Sequence, residues 1–301
     1  MGNTMNYLIL LAAALASGGQ TVTGKLFNGK NPPELTTQLL YNLIFVAACT
    51  ALFAVISLFD FSFHAGTLLY SVIFGLCYFM TQFGFIMALK YGLGSISTVI
   101  LQVSLIATVI YGLIFWDETL TIVMGIGIVL VIVAVVLCVM PKRVKTETEK
   151  ISVRPEKADL KKWTIFMSMA FIGNAACTII QKVHQLEFGG RYKNMLMLFA
   201  MLIVLIISIV AYAIGRTNAP CLCVRKTLIL PAVAGGLNVL INCAVMYLAT
   251  RLDSGVVYPV ILIGGIAVSV ALSLIILKER LSGRQWLGIM LSIAASLMLV
   301  L

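Results

Sequence analysis

The sequence predicts an all-α polytopic membrane protein, with ten transmembrane helices arranged as two inverted five-helix repeats. Hydrophobic residues make up 61% of the 301 residues and charged residues only 11%, and the mean hydropathy is +1.08. This composition excludes an ordinary soluble domain. In addition, the second half of the chain repeats the first at a nearly constant offset. Two related membrane halves are typical of a carrier, because they can move against one another around a central site.

Apolar stretches long enough to span a bilayer occur ten times. A span needs about 20 mostly apolar residues, and we place the spans at 6–25, 35–58, 67–89, 94–116, 120–140, 163–182, 192–214, 227–250, 254–277 and 282–301. The first stretch also resembles a signal peptide. No positive charge precedes it, however, and it pairs with a helix of the second half, so we expect it to be retained. The predicted organisation is a first repeat over 1–140, a charged linker over 141–162 and a second repeat over 163–301.

The repeat is most visible in residues 88–127, which align with residues 249–288 at an offset of 161, with eleven of 40 positions identical. The matches that carry weight are the rarer residues: Gly94 with Gly255, Glu118 with Glu279, Gly127 with Gly288, and Lys90 with Arg251. The first helices of the halves pair at an offset of 157, which sets Ser17, Thr21 and Lys25 against Asn174, Thr178 and Lys182. Because five spans per half is an odd number, the two halves would have opposite orientations in the membrane.

The distribution of basic residues predicts the orientation. Seventeen of the 21 Lys and Arg residues fall in the loops that follow helices one, three, five, seven and nine, and eight of them lie in the linker. Basic residues favour the cytoplasm, so in the cell (plasma) membrane we expect the linker 141–162 inside and both termini outside. The net charge of +10 therefore reports topology and does not indicate nucleic-acid binding.

Uncharged polar residues at helical spacing form the candidate substrate site. All Asp and Glu residues, and both histidines (His64 and His184), fall outside the predicted spans, which argues against proton-coupled export of lipophilic cations. A polar group that faces lipid without a partner costs several kcal/mol, so we expect these residues to point inward. The candidates are Ser17, Gln20, Thr21, Gln38, Tyr41, Asn42, Tyr78, Gln82, Asn174, Thr178, Gln181, Asn238, Asn242 and Tyr258. The alternative is that they only join helices by hydrogen bonds; we favour a cavity because the pattern recurs in both halves.

Two lysines are possible anion contacts. Lys25 and Lys182 occupy matching positions in helices one and six and would hold a phosphate or carboxylate from opposite sides. The alternative is that each side chain extends from a helix end to the lipid headgroups.

Small residues recur at every fourth position in helices four and nine. They are Ser104, Thr108, Gly112, Gly265, Ser269 and Ser273. Such stripes let two backbones approach closely, so we expect them to serve packing rather than binding.

Two segments carry a resemblance to a known family. They are "DETLT" (117–121) and "KERLSGRQWLGIMLSIAASLMLVL" (278–301), a short charged turn with Leu-Ser/Thr and then, in the second, a Gly-containing last helix. This pattern resembles EamA-like members of the drug/metabolite transporter superfamily, and residues 87–100 and 247–262 are similar to that family's third-to-fourth and eighth-to-ninth helix junctions. The resemblance implies a ten-helix carrier of amino acids, sugars, nucleobases or other metabolites. Members of the family usually keep both termini in the cytoplasm; the charges of this chain predict the reverse, and we follow the charges.

The leading functional hypothesis is a secondary active transporter that moves a small polar metabolite, neutral or zwitterionic, such as an amino acid, by alternating access. No nucleotide-binding GxxxxGK[ST] motif occurs, so a substrate or ion gradient would drive it. The alternatives are a transporter of an anionic or phosphorylated metabolite held by Lys25 and Lys182, and, in another class, a lipid scramblase or a non-transporting membrane subunit. We find no catalytic constellation and expect no enzyme, no metal and no cofactor. The expected partners are a small-molecule solute and membrane lipids, with no nucleic acid, for a monomer or homodimer.

Overall fold

The computed structural model describes residues 2–31, 34–91, 94–116, 118, 121–139, 159–215, 227–276 and 283–300. Over these residues the chain forms ten helices and no strand, which confirms the predicted all-helical class. The helices are α1 (Gly2–Asn28), α2 (Leu35–Phe59), α3 (Ala65–Tyr91), α4 (Gly94–Phe115), α5 (Ile122–Val139), α6 (Leu160–Glu187), α7 (Lys193–Gly215), α8 (Ile229–Leu248), α9 (Ser254–Ile276) and α10 (Gly283–Val300).

Seven of these helices are long and apolar enough to cross a membrane: α1, α2, α3, α6, α7, α8 and α9. Within the described residues, α4 and α5 contribute the shorter apolar helices Val103–Phe115 and Ile122–Leu137. The chain is therefore a multi-pass membrane protein, and ten complete spans stay a prediction. Residues 141–158, which make up most of the predicted linker, lie outside the described residues.

Helix α6 is longer than predicted at both ends. It begins after Asp159, whose carboxylate accepts a hydrogen bond from the backbone N–H of Lys162 at 3.1 Å, as N-cap residues do; this bond lowers the pKa of the Asp159 carboxyl. The helix ends where Gly189 and Gly190 take φ values of 59° and 81°, a conformation that suits glycine. The sequence pattern had placed the end at residue 182. The expectation that acids and histidines lie outside the spans is consequently wrong for α6, which includes His184 and Glu187.

The two halves of the chain interlock. Helix α1 packs against α8 and α9, and α6 packs in the same way against α3 and α4, while α2 contacts α7 and α5 contacts α10. Each of these contacts joins the first half of the chain to the second. Helices α1 and α6 thus play corresponding roles in the two halves.

The two ends of the bundle are distinguished by their connections. We call the end of the bundle at which α1, α3, α5, α7 and α9 end the linker side, and the opposite end, at which α1 begins and α10 ends, the terminal side. On the linker side, Asn31 donates a hydrogen bond to Thr227 at 2.9 Å. On the terminal side, Asn194 donates to the backbone oxygen of Asp60 at 2.8 Å. Hydrogen bonds at or near the helix ends therefore tie the helices together at each end of the bundle.

Glycines allow the closest helix contacts. A Cβ atom on Gly173 of α6 would lie 2.7 Å from the backbone oxygen of Cys77 in α3, and one on Gly235 of α8 would lie 2.6 Å from that of Phe45 in α2. Both distances are too short for a real side chain. Because lipid provides little hydrophobic drive for helix association, close packing of this kind holds the bundle together.

We predict that Gly235→Ala lowers the stability of the protein by about 1–3 kcal/mol, because the methyl group forces α8 away from the α2 backbone. Gly236→Ala is the matched control, since its methyl group would meet only the side chain of Leu52 at 3.6 Å. The measurement is the midpoint of thermal unfolding in detergent. Equal midpoints for the two variants would contradict the packing described here.

Candidate substrate site

Five of the predicted site residues form one hydrogen-bonded group at the centre of the bundle. They come from α1, α3, α6 and α8, and we call them the amide cluster: Gln20, Tyr78, Gln181, Asn238 and Asn242. Asn238 is its hub, because its Oδ1 accepts hydrogen bonds from Tyr78 at 3.4 Å and from Asn242 at 2.8 Å. Its Nδ2 donates to Gln20 at 3.5 Å. The cluster therefore links both halves of the chain through uncharged groups.

The bonds of the amide cluster differ in length from one end to the other. Gln181 donates to Asn242 at 2.7 Å, and these two side chains are buried, with exposed fractions of 3% and 8%. The bonds that reach Gln20 and Tyr78 are at the limit of hydrogen-bonding distance, and Gln20 and Asn238 are only half-buried. Cys49 adds a weak donor, with its Sγ atom 3.9 Å from the Asn238 oxygen. The cluster is tight at the Gln181 end and loosely held around Gln20.

Polar groups continue from the amide cluster toward the linker side. Tyr41 on α2 lies with its ring 4.9 Å from that of Phe27, and its hydroxyl faces Gly24, where a Cβ would lie 3.7 Å away. Further along, Gln38 donates to the exposed side chain of Asn28 at 2.9 Å. Exposure therefore increases along this row from the cluster to the helix ends.

A second set of predicted site residues holds α6 to α4 and α9. Asn174 donates to Ser104 at 2.7 Å, Thr178 shares a hydrogen bond with Thr108, and the hydroxyl of Tyr258 donates to the backbone oxygen of Thr178 at 3.1 Å. Ser104 and Thr108 belong to the small-residue stripe of α4. In the structure these side chains join helices, and a substrate-binding role for them stays a prediction.

The remaining candidates are dispersed. Ser17 packs against Gly265 of α9, and Thr21 is exposed and donates back to the Ser17 oxygen at 3.0 Å. Asn42 is buried and donates to Ser208 of α7 at 3.2 Å. Gln82 is half-buried one turn beyond Tyr78 on α3. The structure therefore does not gather all fourteen candidates around one point.

Lys182 forms a buried ion pair with Glu118. Their side chains are 5% and 7% exposed. The backbone N–H of Ser254, the first residue of α9, donates to both carboxylate oxygens of Glu118 at 3.1 Å, and Lys182 also donates to the Ser254 hydroxyl at 2.9 Å. The ring of Trp116 lies 4.9 Å from the ammonium group. The Glu118 carboxylate is therefore stabilised both by the positive end of the α9 dipole and by the neighbouring Lys182 ammonium group.

This arrangement corrects the expectation that Lys182 extends to the headgroups. Its side chain is instead buried against Glu118 and Ser254, and α6 continues beyond it. Lys25 is exposed and donates to Ser273, near the opposite end of α9 from Ser254. These two serines are 19 positions apart on one helix, which corresponds to roughly 28 Å. The lysines are not brought together around one small anion.

The sequence interpretation missed Glu118, Ser254 and Trp116 as interior groups. Glu118 was assigned to a loop, and its connection does leave the helix, but its side chain turns back onto Gly112 of α4, which has no Cβ to exclude it. A signal was present: Glu118 and Lys182 each have an identical residue at the matching position of the other half. The matching Glu279 lies outside the described residues.

We predict that Glu118→Gln lowers the unfolding free energy by about 3–5 kcal/mol, because it leaves the ammonium group of Lys182 buried without a counter-ion. The double variant Glu118→Gln with Lys182→Met removes that unpaired charge and should regain most of the loss. Asp159→Asn is the control, since it breaks only a solvent-exposed pair with Lys162, which contributes little to stability. Thermal unfolding of the three variants checks this; a double variant no more stable than Glu118→Gln would contradict it.

Comparison with known proteins agrees with the fold. Residues 4–140 match the model of the EamA-like transporter family. No curated protein matches the chain. A solved structure titled only "Crystal structure of protein" has 12% identical residues and a TM-score of 0.72, with 98% of this chain and 96% of that chain covered; at this identity the likeness shows the fold alone. The resemblance to EamA-like transporters is thereby confirmed over residues 4–140, which match that family's model, and the chain is a multi-pass membrane protein consistent with the drug/metabolite transporter superfamily.

Proposed function

We propose that the protein is a secondary carrier for a small neutral or zwitterionic polar solute, such as an amino acid, and that the solute binds at the amide cluster. The observation that carries this proposal is the cluster itself: five uncharged polar side chains from both halves, hydrogen-bonded to one another inside an apolar bundle.

The chemistry of the cluster favours an uncharged polar ligand. Each amide group both donates and accepts hydrogen bonds, so it can exchange a bond to a neighbouring amide for a bond to a hydroxyl, amide, carboxylate or amine of a solute. Such an exchange costs little, whereas leaving a buried amide unpaired costs a good deal. The loosely held bonds from Asn238 to Gln20 and Tyr78 are the ones that a solute would replace. The interior lysine already has a counter-ion in Glu118, so the charge balance does not call for an anionic solute.

Alternating access is the mechanism that this packing supports. Helices α1 and α6 have corresponding partners in the opposite half, as expected if the two halves are inverted repeats related by a pseudo-two-fold axis. The amide cluster lies between them. Burial rises along the polar row from the linker side toward Gln181, which supports entry of the solute from the linker side in this conformation. The excess of basic residues on the linker side supports a cytoplasmic location for that side.

We predict that Asn238→Leu reduces solute uptake at least tenfold, since the hub would lose all its hydrogen bonds at nearly constant side-chain volume; tenfold corresponds to about 1.4 kcal/mol. Asn194→Leu is the matched control, because Asn194 is also buried and hydrogen-bonded but contacts Asp60 at the terminal side. The measurement is uptake into proteoliposomes of labelled amino acids, sugars, nucleosides and amines, with phosphorylated and carboxylate solutes as further arms.

Several outcomes would contradict this proposal. One is that no neutral or zwitterionic solute enters faster than it enters protein-free liposomes. Uptake restricted to phosphorylated or carboxylate solutes would point instead to an anion carrier, and accelerated bleaching of a fluorescent lipid with no solute uptake would point to a scramblase. Equal uptake by the Asn238→Leu and Asn194→Leu variants would remove the amide cluster from the binding site.

A further inference from the structure

The ion pair of Glu118 and Lys182 lies directly beside the amide cluster. The amide cluster and the ion pair contain adjacent residues of α6. Gln181 donates a hydrogen bond to Asn242, and Lys182 donates to Glu118 and Ser254. One turn earlier, the backbone of Thr178 accepts a hydrogen bond from Tyr258 of α9. The ion pair therefore lies on the terminal side of the amide cluster.

All the bonds of Glu118 in this group cross between the halves of the chain. Glu118 follows α4 in the first half, whereas Lys182 in α6 and Ser254 in α9 belong to the second half. Both carboxylate oxygens are used, each facing the same backbone N–H. A displacement of the α4 end relative to α6 and α9 would break the bonds of Glu118 to Lys182 and to Ser254 together, and would leave the bond from Lys182 to Ser254 in place. Such a contact has two discrete states, joined or separated, rather than a continuous range.

A buried ion pair is a poor way to gain stability alone, because the cost of removing two charges from water offsets most of their attraction. The pair does favour a particular kind of opening. Once separated, both groups need water, so the joined state excludes water and the separated state admits it. A pair with this property is suited to closing a polar pathway that must be wet when open and dry when closed.

The other face of α6 is held much more firmly. Gly173 and Gly84 bring the backbones of α6 and α3 into direct contact, and Thr67 shares a hydrogen bond with the buried His184 at 3.1 Å. Helices α3 and α6 are therefore expected to move as one unit. The face toward α4 and α9 is joined by side-chain hydrogen bonds such as that of Asn174 to Ser104, and we expect it to separate at the end where Glu118 lies.

We propose that Glu118, Lys182 and Ser254 form the terminal-side gate of the pathway, closed in this structure. This inference rests on the proposed function and adds to it the residues that control access from one side. Opening moves Glu118 away from Lys182 and from the start of α9, and thereby exposes the amide cluster to the terminal side. Gly112 permits the closed state, because the carboxylate occupies the place of its missing side chain.

The native residue Cys49 provides a reporter for this gate. It is fully buried, and its Sγ atom lies 3.9 Å from the Asn238 oxygen, so its rate of modification reports access to the amide cluster. The experiment uses the full chain with Cys49 as the sole cysteine, reconstituted in liposomes. A membrane-impermeant methanethiosulfonate reagent is added from the terminal side, defined as the side from which a protease removes a C-terminal tag.

We expect slow modification of Cys49 from the terminal side in the parent protein. Glu118→Gln removes the ion pair, and Gly112→Ala keeps both charges but displaces the carboxylate; each should raise the terminal-side rate at least tenfold and leave the linker-side rate unchanged or lower. Asp159→Asn is the control for loss of an exposed ion pair and should change neither rate. If the Glu118→Gln variant does not fold, the Gly112→Ala variant alone tests the gate.

Unchanged terminal-side modification in a folded Glu118→Gln or Gly112→Ala variant would overturn the gate. So would an equal rise from both sides, because that indicates general loosening of the bundle. The rate of Cys49 modification is measured without a solute, so a failure of the gate can be distinguished from a failure of the proposed transport function. Failure of the proposed function appears as absent uptake by the parent protein, and failure of the gate appears as unaltered sidedness of Cys49 modification.

Discussion

Polar side chains inside this bundle must find their hydrogen-bond partners on the protein itself, because an apolar surrounding supplies none. The constraint explains why the hydrogen bonds of Asn174, Gln181 and Asn238 run between helices and, in most cases, between the two halves. It also explains the position of Glu118, whose carboxylate could not be buried without Lys182 and the start of α9. The interior polar network and the interlocked helix packing are thus two aspects of one arrangement.

The same constraint separates two kinds of polar contact. Asn174 with Ser104 is short, local to one helix pair, and placed where small residues already bring α6 and α4 together; it resembles the bonds that join membrane helices in general. The bonds of Asn238 to Gln20 and Tyr78 are long, and they converge on one hub shared by several helices. A solute can replace the second kind without separating the helices, and this difference locates the proposed binding site.

Much of the fold could be predicted from the sequence, because long apolar runs and a repeat at constant offset constrain helix positions strongly. The amide cluster was also within reach, since Asn238 and Asn242 recur at helical spacing and Gln20 lies one turn before Gly24. What sequence periodicity does not give is which helices meet. Periodicity therefore does not predict the ion pair. Glu118 lies beyond the end of α4, and its side chain folds back over Gly112. Its partners lie in α6 and α9, in the other half of the chain. Helix α6 was ended too early because Lys182, His184 and Glu187 look like a polar terminus until their partners are known.

The central proposal is that a row of uncharged polar groups gives water and solute access to the middle of the bundle from the linker side. The most direct test is thiol modification of Gln20→Cys in an otherwise cysteine-free protein in liposomes, with an impermeant reagent applied to each side in turn. Because a thiol must be hydrated to ionise and react, this account predicts rapid modification from the linker side and slow modification from the terminal side. Absence of reaction from both sides, or faster reaction from the terminal side, would contradict it.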